Sequence, residues 1–362
     1  MTNTSTETDA LRTTLKSAPK MQSVRFHGPG DIRVEELDEP TCGKGQVKVC
    51  LYNMHFIPET ALTNDIKMRP AYVGICGSDL HEFTSGPILI PETPHNITGC
   101  THPATLGHEF GGIIEEVGEG VTNVSPGQRA VAMVGVWLIK LSLRQVTSIP
   151  LPDKVSLETA SLIEPLAVSW HAVHSSPFKK GDSVLIVGGG PIGLGIVQVL
   201  KLQGAGQIIV AEPMDNRKKF CTDYGATAIL DPGEVDVTKR VRELTGDVGA
   251  DVVFDTAGVE KALPGAIAAV RVQGTIVNLA VWEGNPSLPV NDLMYKEVRY
   301  MGAALYDEQS FLDVIQALNA GHLRPEKMIT GRVPLRDAVD KGILALLNHR
   351  DEHCKILVDV QE

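Results

Sequence analysis

Short runs of consecutive apolar residues dominate the chain from residue 183 to about residue 302, and stretches with helical spacing separate them. The runs have strand length and are rich in β-branched residues, which is typical of strands buried on both faces of a parallel sheet. They lie at 184–187, 208–211, 226–230, 251–254, 274–281 and 299–301. This alternation predicts repeated βα units and therefore an α/β fold with a doubly wound parallel sheet.

The pattern is less regular on either side of this region. Ser161–Val173 has a helical pattern that carries Glu164, and Phe311, Val314 and Leu318 share one helical face that ends before Gly321. A further helical stretch runs over 339–347. Short apolar stretches predict strands at 22–26, 47–49, 113–117, 130–136 and 355–360. The flanks therefore predict short strands joined by turns, together with a few helices.

Composition narrows the class of protein. The chain has 362 residues, of which 43% are hydrophobic and 21% charged, as in a soluble globular protein of roughly two domains. A net charge of −11 offers no electrostatic attraction to nucleic acid or to an anionic membrane. We find no apolar run of 18 residues, so we expect no membrane span.

Cysteine usage and the first residues bear on the compartment. The six cysteines form no C-x-x-C pair and do not indicate a disulfide framework, so we expect a reducing compartment, the cytoplasm. Residues 1–20 are rich in Ser and Thr, carry acids and lack an apolar core segment. They resemble neither a secretory signal nor a transit peptide, and we expect a disordered tail.

A glycine-rich turn follows the apolar run 184–187. Gly188, Gly190 and Gly193 fit the pattern G-x-G-x-x-G. In that pattern the first glycine allows a tight turn, the second lets a pyrophosphate approach the backbone, and the third packs the helix against its strand. The following helix N-terminus presents free N–H groups to phosphate. This stretch predicts a dinucleotide site, and the alternative is an ordinary glycine turn between strand and helix.

Glu212 follows Gly193 by 19 residues and ends the apolar run 208–211. An acid at this place accepts hydrogen bonds from a ribose 2′-hydroxyl and repels a 2′-phosphate, which favours NAD over NADP. Arg217 is a contrary indication, because arginine can bind a 2′-phosphate. The predicted cofactor-binding residues, including two at the ends of later strands, are Gly188, Gly190, Pro191, Ile192, Gly193, Glu212, Arg217, Thr256 and Ala280.

Cys76, His108 and a carboxylate form a candidate metal set. Zinc accepts thiolate, imidazole and carboxylate ligands, and a catalytic zinc keeps one position open for water or substrate. From the residues alone the carboxylate is either Glu164 or Glu109. The alternative is that Cys76 is a buried small apolar side chain and that His108 is a hydrogen-bonded core histidine.

Four motifs occur in one order, GICGSDLHEF (74–83), LGHEFGG (106–112), IEPLAVSWHAV (163–173) and GGGPIGLG (188–195). Together they resemble the zinc-dependent medium-chain alcohol and polyol dehydrogenases, most closely the 2,3-butanediol dehydrogenase branch, with sorbitol dehydrogenases next. The resemblance implies a GroES-like β-domain over 21–167 and 303–362, and a Rossmann NAD-binding domain over 168–302. It also implies a homo-oligomer.

The resemblance assigns roles to individual residues. Cys76, His108 and Glu164 match the ligands of one catalytic zinc, and Glu109 matches a carboxylate behind the metal that can replace a ligand. Ser78 and His81 match a proton relay, and Asp79 matches a residue that orients the zinc-bound histidine. The implied reaction moves a hydride between NAD and a secondary alcohol of a vicinal diol or polyol, while the relay carries the proton.

Two segments depart from the family pattern. The lobe that holds a structural zinc through four closely spaced cysteines is absent, and 137–149 replaces the strand that normally follows it, so the β-domain would lose a strand. Residues 50–69 read as an inserted loop without periodicity. Our hypothesis is that both are gene-model or splicing artefacts. Two other functions stay open, a sorbitol- or xylitol-type polyol dehydrogenase and a catalytically silent NAD-binding relative.

Overall fold

The computed structural model describes residues 20–38, 48–49, 66–94, 101–118, 121–133 and 147–362. Residues 1–19 of the predicted tail (1–20), residues 50–65 of the predicted inserted loop and the segment 134–146 lie outside the described residues. The prediction of a tail is wrong at Lys20, which is the first residue of a strand.

The strands are numbered in chain order: β1 (Lys20–Gly28), β2 (Asp31–Asp38), β3 (Lys48–Val49), β4 (Ile66–Gly74), β5 (Ala104–Thr105), β6 (Glu109–Val117), β7 (Arg129–Met133), β8 (Thr147–Pro150), β9 (Ser183–Val187), β10 (Gln207–Ala211), β11 (Ala228–Leu230), β12 (Ala250–Asp255), β13 (Val270–Asn278), β14 (Arg299–Gly302), β15 (Ile329–Pro334) and β16 (Lys355–Asp359).

The α-helices follow the same convention: α1 (Gly77–Ser85), α2 (Leu157–Ala160), α3 (Ile163–Ser175), α4 (Pro191–Gln203), α5 (Asp215–Tyr224), α6 (Val237–Leu244), α7 (Leu263–Ala269), α8 (Val290–Tyr295), α9 (Glu308–Asn319) and α10 (Leu344–Asn348). Short 3₁₀ turns lie at Glu260–Ala262, Pro325–Met328 and Leu335–Asp337, and a π-helical turn at Ala338–Ile343 leads into α10.

One sheet is parallel and six-stranded, in the order β11-β10-β9-β12-β13-β14. Counted from β9, this is the strand order 3-2-1-4-5-6 of the dinucleotide-binding fold. Val184 and Ile186 of β9 join one apolar core and Leu185 joins another, because successive side chains of a strand point to opposite faces of the sheet. Helices cover both faces. The predicted doubly wound parallel sheet is therefore confirmed.

The other sheets form the β-rich part of the chain. One has the order β2-β1-β5, and the larger has the order β15-β16-β4-β6-β7-β8, with β3 beside β4. A separate apolar core joins these strands, with Phe26, Met68 and Ile114 almost fully buried. Strand β2 was not predicted. It is a hairpin partner of β1 in which only Ile32 is buried, so the apolar signal of this strand is weak.

The structure describes part of each of the two segments that depart from the family pattern, 50–69 and 137–149. The interpretation of 66–69 as loop is wrong, because β4 begins at Ile66 and its first residues pair with β6 and with β3. At the second segment, β8 pairs antiparallel with β7, from Ala130 opposite Pro150 to Met133 opposite Thr147. The lost strand was predicted over 137–149, of which 147–149 belong to β8. Residues 137–146 lie outside the described residues, so the lost strand and the absent zinc lobe stay predictions.

The two parts of the chain meet along α3 and α9, which pack together and share a core with the six-stranded sheet. After α9, strands β15 and β16 complete the larger β-sheet. The domain boundaries 167/168 and 302/303 stay a proposal. Among the described residues, no helix is both long and apolar enough to cross a membrane.

Candidate active site

Cys76 lies at the junction between β4 and α1. It is the residue before the first turn of α1, and its backbone N–H donates to Oδ2 of Asp79 at 2.9 Å. The Asp79 carboxylate thereby accepts a hydrogen bond from one of the backbone N–H groups that the start of a helix leaves unpaired. The N-terminal end of a helix dipole favours negative charge on nearby atoms, and here the nearby atom is the Cys76 sulfur.

His108 and Glu109 enter the same place from the neighbouring strand. Glu109 begins β6 and lies opposite Gly74, near the end of β4. A Cβ atom on Gly74 would lie 2.2 Å from Oε2 of Glu109, so only glycine leaves room for this carboxylate. The candidate ligand atoms of Cys76, His108 and Glu109 all lie within 4.8 Å of one another. Strand pairing therefore brings together residues that are more than 30 positions apart.

Lys355, the first residue of β16, lies beside Glu109 and binds its carboxylate. Its Nζ donates to Oε1 and Oε2 of Glu109 at 2.8 and 2.7 Å, and to the carbonyl of Ile75 at 2.9 Å. Burial would lower the pKa of Lys355, but the Glu109 carboxylate raises it to about 12. The lysine therefore remains charged and compensates a carboxylate that is fully buried.

Acidic groups surround His108. Burial would lower the pKa of His108, but the charges of Cys76, Asp79 and Glu164 raise it well above its usual value. Burial, opposed by the charge of His108 and reinforced by that of Glu109, raises the pKa of Glu164 to about 7. The carboxyl groups of Asp79, Glu109 and Glu164 therefore share the surroundings of His108, and a bound divalent cation would favour their ionised forms.

The donor set fits one zinc ion. A thiolate, an imidazole and a carboxylate are the ligand types that zinc prefers, and three protein ligands leave the fourth position open. Cys76 and His108 are common to the predicted set and the observed cluster. The carboxylate in the cluster is that of Glu109, and Glu164 lies outside it but acts on His108 through its charge. Glu164 stays a predicted ligand.

Ser78 and His81, the predicted proton relay, both lie on α1 and are half-buried. The ring Nδ1 of His81 lies 2.7 Å from Oε1 of Glu283, which belongs to the segment after β13. Asp79 accepts a hydrogen bond from the backbone N–H of Cys76, and its charge raises the pKa of His108. Its role in orienting His108 stays a prediction.

The glycine turn between β9 and α4 has little spare space at two of its three motif positions. Gly188 has a φ of +101°, which favours glycine. A Cβ atom on Gly193 would lie 2.1 Å from the carbonyl oxygen of Gly188, so the third glycine allows the helix to approach the strand. At Gly190, a Cβ atom would meet nothing closer than Nη1 of Arg217 at 3.9 Å. The second glycine therefore faces open space, as a pyrophosphate requires.

Glu212 and Arg217 flank that space. Oε2 of Glu212 accepts from the N–H of Gly189 at 2.7 Å, and its Oε1 accepts from the N–H of Met214 at 2.9 Å. Each carboxylate oxygen keeps a second lone pair for a ribose hydroxyl. The Nε atom of Arg217 is buried and has no hydrogen-bond partner in the described part of the chain. An unpartnered guanidinium nitrogen beside an open glycine turn fits a dinucleotide.

The remaining predicted cofactor residues lie at the same edge of the sheet. Thr256 follows β12, and its hydroxyl donates to the carbonyls of Val187 and Gly188 at 2.9 and 3.1 Å, so it supports the glycine turn. Ala280 follows β13, and its N–H donates to the carbonyl of Asp255 at 3.2 Å. Pro191 and Ile192 open α4. Parallel strands gather their carboxyl ends at one edge, which explains why residues so far apart converge.

Sequence reasoning missed two residues of this region, Lys355 and Glu283. A lysine that begins an otherwise apolar strand is a weak sign of a buried charge, and nothing local links it to Glu109. Glu283 follows Trp282 in a segment without periodicity, so no pattern connects it to His81.

The comparisons with known proteins agree with this geometry. The family model described as "Zinc-binding dehydrogenase" matches residues 191–320, and the one described as "Alcohol dehydrogenase GroES-like domain" matches residues 63–141. The (R,R)-butanediol dehydrogenase of Neisseria gonorrhoeae is 33% identical over 374 residues, covering 94% of this chain and 99% of that protein. D-xylulose reductase of Saccharomyces cerevisiae is 28% identical, covering 81% of this chain and 90% of that protein.

Solved structures agree as well. The crystal structure of 2R,3R-butanediol dehydrogenase from Bacillus subtilis superposes with a TM-score of 0.80 at 33% identity, covering 94% of this chain and 99% of that chain. A structure from Sinorhizobium meliloti 1021 that contains NADP superposes with a TM-score of 0.74 at 25% identity, covering 94% and 100%. The glycine turn, the cysteine–histidine–glutamate cluster and these matches lead to one conclusion: the chain belongs to the zinc-dependent medium-chain alcohol and polyol dehydrogenases, which use NAD(P).

Proposed function

We propose that this protein interconverts a secondary alcohol of a vicinal diol, of the 2,3-butanediol type, with its hydroxyketone, using NAD. The observation that carries the proposal is the convergence of the candidate ligand atoms of Cys76, His108 and Glu109 within 4.8 Å, in a place where further acidic groups act on His108. Such a site holds a cation with an open coordination position for an alcohol oxygen. Relatives named as butanediol dehydrogenases support the diol as substrate.

The chain's own residues divide the remaining work. When bound, zinc acidifies the alcohol and NAD accepts the hydride. Ser78 is proposed to accept the hydroxyl proton and to pass it toward His81, whose side chain is 33% exposed and can release it to solvent. Lys355 holds Glu109 behind the ligands. Glu164 is proposed as the third ligand, with Glu109 as the carboxylate that can replace it.

We propose NAD rather than NADP as the working cofactor. Glu212 is buried beside the glycine turn and is proposed to bind the ribose 2′-hydroxyl, where its charge would disfavour a 2′-phosphate. Arg217 is the contrary feature, and a relative of known structure contains NADP. The ratio of kcat/KM for NAD to that for NADP decides the matter, and a ratio below one contradicts the proposal.

A sorbitol- or xylitol-type polyol dehydrogenase is the second candidate. The similarity to a D-xylulose reductase favours it. Reduction rates on acetoin, fructose and xylulose separate the two. We expect acetoin to give the highest kcat/KM, and a higher value on either sugar would favour the second candidate.

The test of the proposed function measures zinc and turnover in the same preparation. We expect about one zinc per chain by elemental analysis, since one three-ligand site is proposed, and NAD-linked oxidation of 2,3-butanediol. Cys76→Ser should lose both. Cys221→Ser, at a buried thiol in α5, should keep its zinc and serves as the control. A folded protein without zinc or turnover would favour the silent NAD-binding relative.

We also propose a homo-oligomer built on the free edge of the parallel sheet. Among the described strands, β14 pairs only with β13, so one side of its backbone is unpaired. Val290, Met294 and Tyr295 of the adjacent α8 are 67%, 59% and 78% exposed. Unpaired edges and exposed apolar groups favour association with a second copy. Light scattering should give at least twice the chain mass, and Tyr295→Glu should reduce it.

A further inference from the structure

His81 is linked to the nucleotide-binding half of the molecule by a carboxylate. Its Nδ1 lies 2.7 Å from Oε1 of Glu283, although 202 positions separate the two residues. The other oxygen of that carboxylate, Oε2, accepts from the hydroxyl of Ser85 at 3.1 Å. Ser85 is one turn further along α1 than His81, so both lie on the same face of that helix. Both oxygens of Glu283 are therefore engaged by α1.

The base of the segment that carries Glu283 is tied to the sheet. It follows β13, where the N–H of Ala280 donates to the carbonyl of Asp255, and the indole N–H of Trp282 donates to Oδ1 of Asn278 at 3.0 Å. Ala280 is one of the predicted cofactor residues. Glu283 thus extends from the cofactor edge of the parallel sheet to the helix that carries the relay.

The chemistry of the contact determines which nitrogen of His81 is free. A neutral imidazole carries one N–H and one acceptor nitrogen. A carboxylate only accepts hydrogen bonds, so Glu283 selects the form of His81 with the proton on Nδ1 and leaves Nε2 as the acceptor. The hydrogen bond from His81 lowers the pKa of Glu283, and Ser85 and the charge of Arg350 lower it further, which keeps the carboxylate ionised.

We propose that Glu283 is a positioning residue for proton transfer: it holds His81 with Nδ1 protonated and Nε2 free to accept, and it does so only when the segment after β13 lies against α1. This rests on the proposed function, in which His81 accepts the substrate proton. The side chains of His81 and Glu283 are 33% and 48% exposed, and such pairs contribute little to folding stability. Loss of the pair therefore changes the relay and leaves the fold intact.

The first test reads the imidazole directly, without turnover. Protein labelled with ¹⁵N-histidine is studied by long-range ¹H–¹⁵N NMR at a pH where imidazole is neutral, and the signal that disappears in His81→Gln is assigned to His81. We expect the Nδ1–H form in the unaltered protein and in Glu283→Gln, whose amide oxygen still accepts. We expect a mixture of both forms in Glu283→Ala. A spectrum unaffected by Glu283→Ala overturns the proposal.

The second test measures whether Glu283 affects kcat only through His81. Glu283→Ala should lower kcat by about tenfold, a fraction of what a general acid–base contributes, while KM for the diol is unchanged and Glu283→Gln restores most of the rate. In a His81→Gln background, Glu283→Ala should cost nothing further. Glu234→Ala, at an exposed carboxylate before α6, is the matched control and should leave kcat unchanged. An equal loss in both backgrounds overturns the proposal.

The two proposals fail in different ways. If the unaltered protein turns over no diol but its His81 signal depends on Glu283, the proposed function fails and the positioning role stands. If diol turnover is normal but neither the NMR signal nor kcat responds to Glu283→Ala, the positioning role fails and the proposed function stands.

Discussion

Lys355 and Glu109 form an ion pair in which the lysine side chain is 2% exposed and the glutamate side chain 0%. Removing one partner of such a pair leaves a buried charge without compensation, and this costs more than removing both. The pair is therefore a sensitive point of the β-rich half.

Lys355→Met should lower the free energy of unfolding by about 3–5 kcal/mol, because the Glu109 carboxylate would remain buried among other acids. The control is Lys355→Met combined with Glu109→Gln, which removes both charges and should recover most of that loss. Urea denaturation of the metal-free protein at pH 7 measures both variants. A double variant no more stable than the single one would contradict this explanation.

Glu164 should make the metal-free protein more stable in mild acid. Burial raises its folded pKa from 4.5 to about 7. Between these values the folded state holds a proton that the unfolded state has lost, so stability falls as pH rises from 4.5 to 7, by about 3 kcal/mol for this group.

The measurement for Glu164 is the free energy of unfolding at several pH values, with and without bound zinc. Glu164→Gln, which cannot ionise, should show a smaller fall over that range. Zinc should remove the dependence, because a bound cation favours the carboxylate. An identical slope in Glu164→Gln would assign the effect to other groups, such as His108.

The sequence predicts a strand or helix well where neighbouring residues alone determine its pattern, and poorly where distant contacts do. The run Val184–Val187 predicted β9 because a strand buried on both faces must be apolar throughout. Strand β2 was not predicted because most of its residues are polar or charged and only Ile32 is buried. Local pattern therefore predicts an element best where burial is complete.

The site shows the same limit at longer range. Cys76 and His108 were recognisable as ligand types, but their meeting depends on the pairing of β4 with β6, where Gly74 lies opposite Glu109. No local pattern contains that register. The contact of Lys355 with Glu109 could not be predicted, because the place of β16 between β15 and β4 is decided by sheet assembly.

Arg217→Ala should weaken NADH binding by about tenfold, which corresponds to the loss of one charge-assisted hydrogen bond of roughly 1.4 kcal/mol. The unpartnered Nε of this residue is the reason. Lys219→Ala, on the same helix but exposed, is the matched control and should bind as before. Titration of NADH fluorescence gives both affinities. Equal affinities in the two variants would exclude Arg217 from the cofactor site.

Gly190→Ala and Gly193→Ala should have opposite effects on folding and binding. An added Cβ at Gly190 has open space, so the melting temperature should be unchanged while NADH affinity falls. An added Cβ at Gly193 would lie 2.1 Å from a backbone oxygen, so we expect a destabilisation of about 1–3 kcal/mol. Thermal unfolding and NADH titration of both variants test this. Normal NADH binding by Gly190→Ala would contradict the phosphate role.

The placement of Lys355 also has a consequence for biosynthesis. This lysine is made 246 residues after Glu109. At a synthesis rate of 5–20 residues per second, that interval lasts roughly 12 to 50 s. During it Cys76, His108 and Glu109 have already been translated while the strand that supplies their balancing cation has not. The ribosome therefore delivers the acidic half of the site first, and the site reaches its final charge only after the whole nucleotide-binding region has been synthesised.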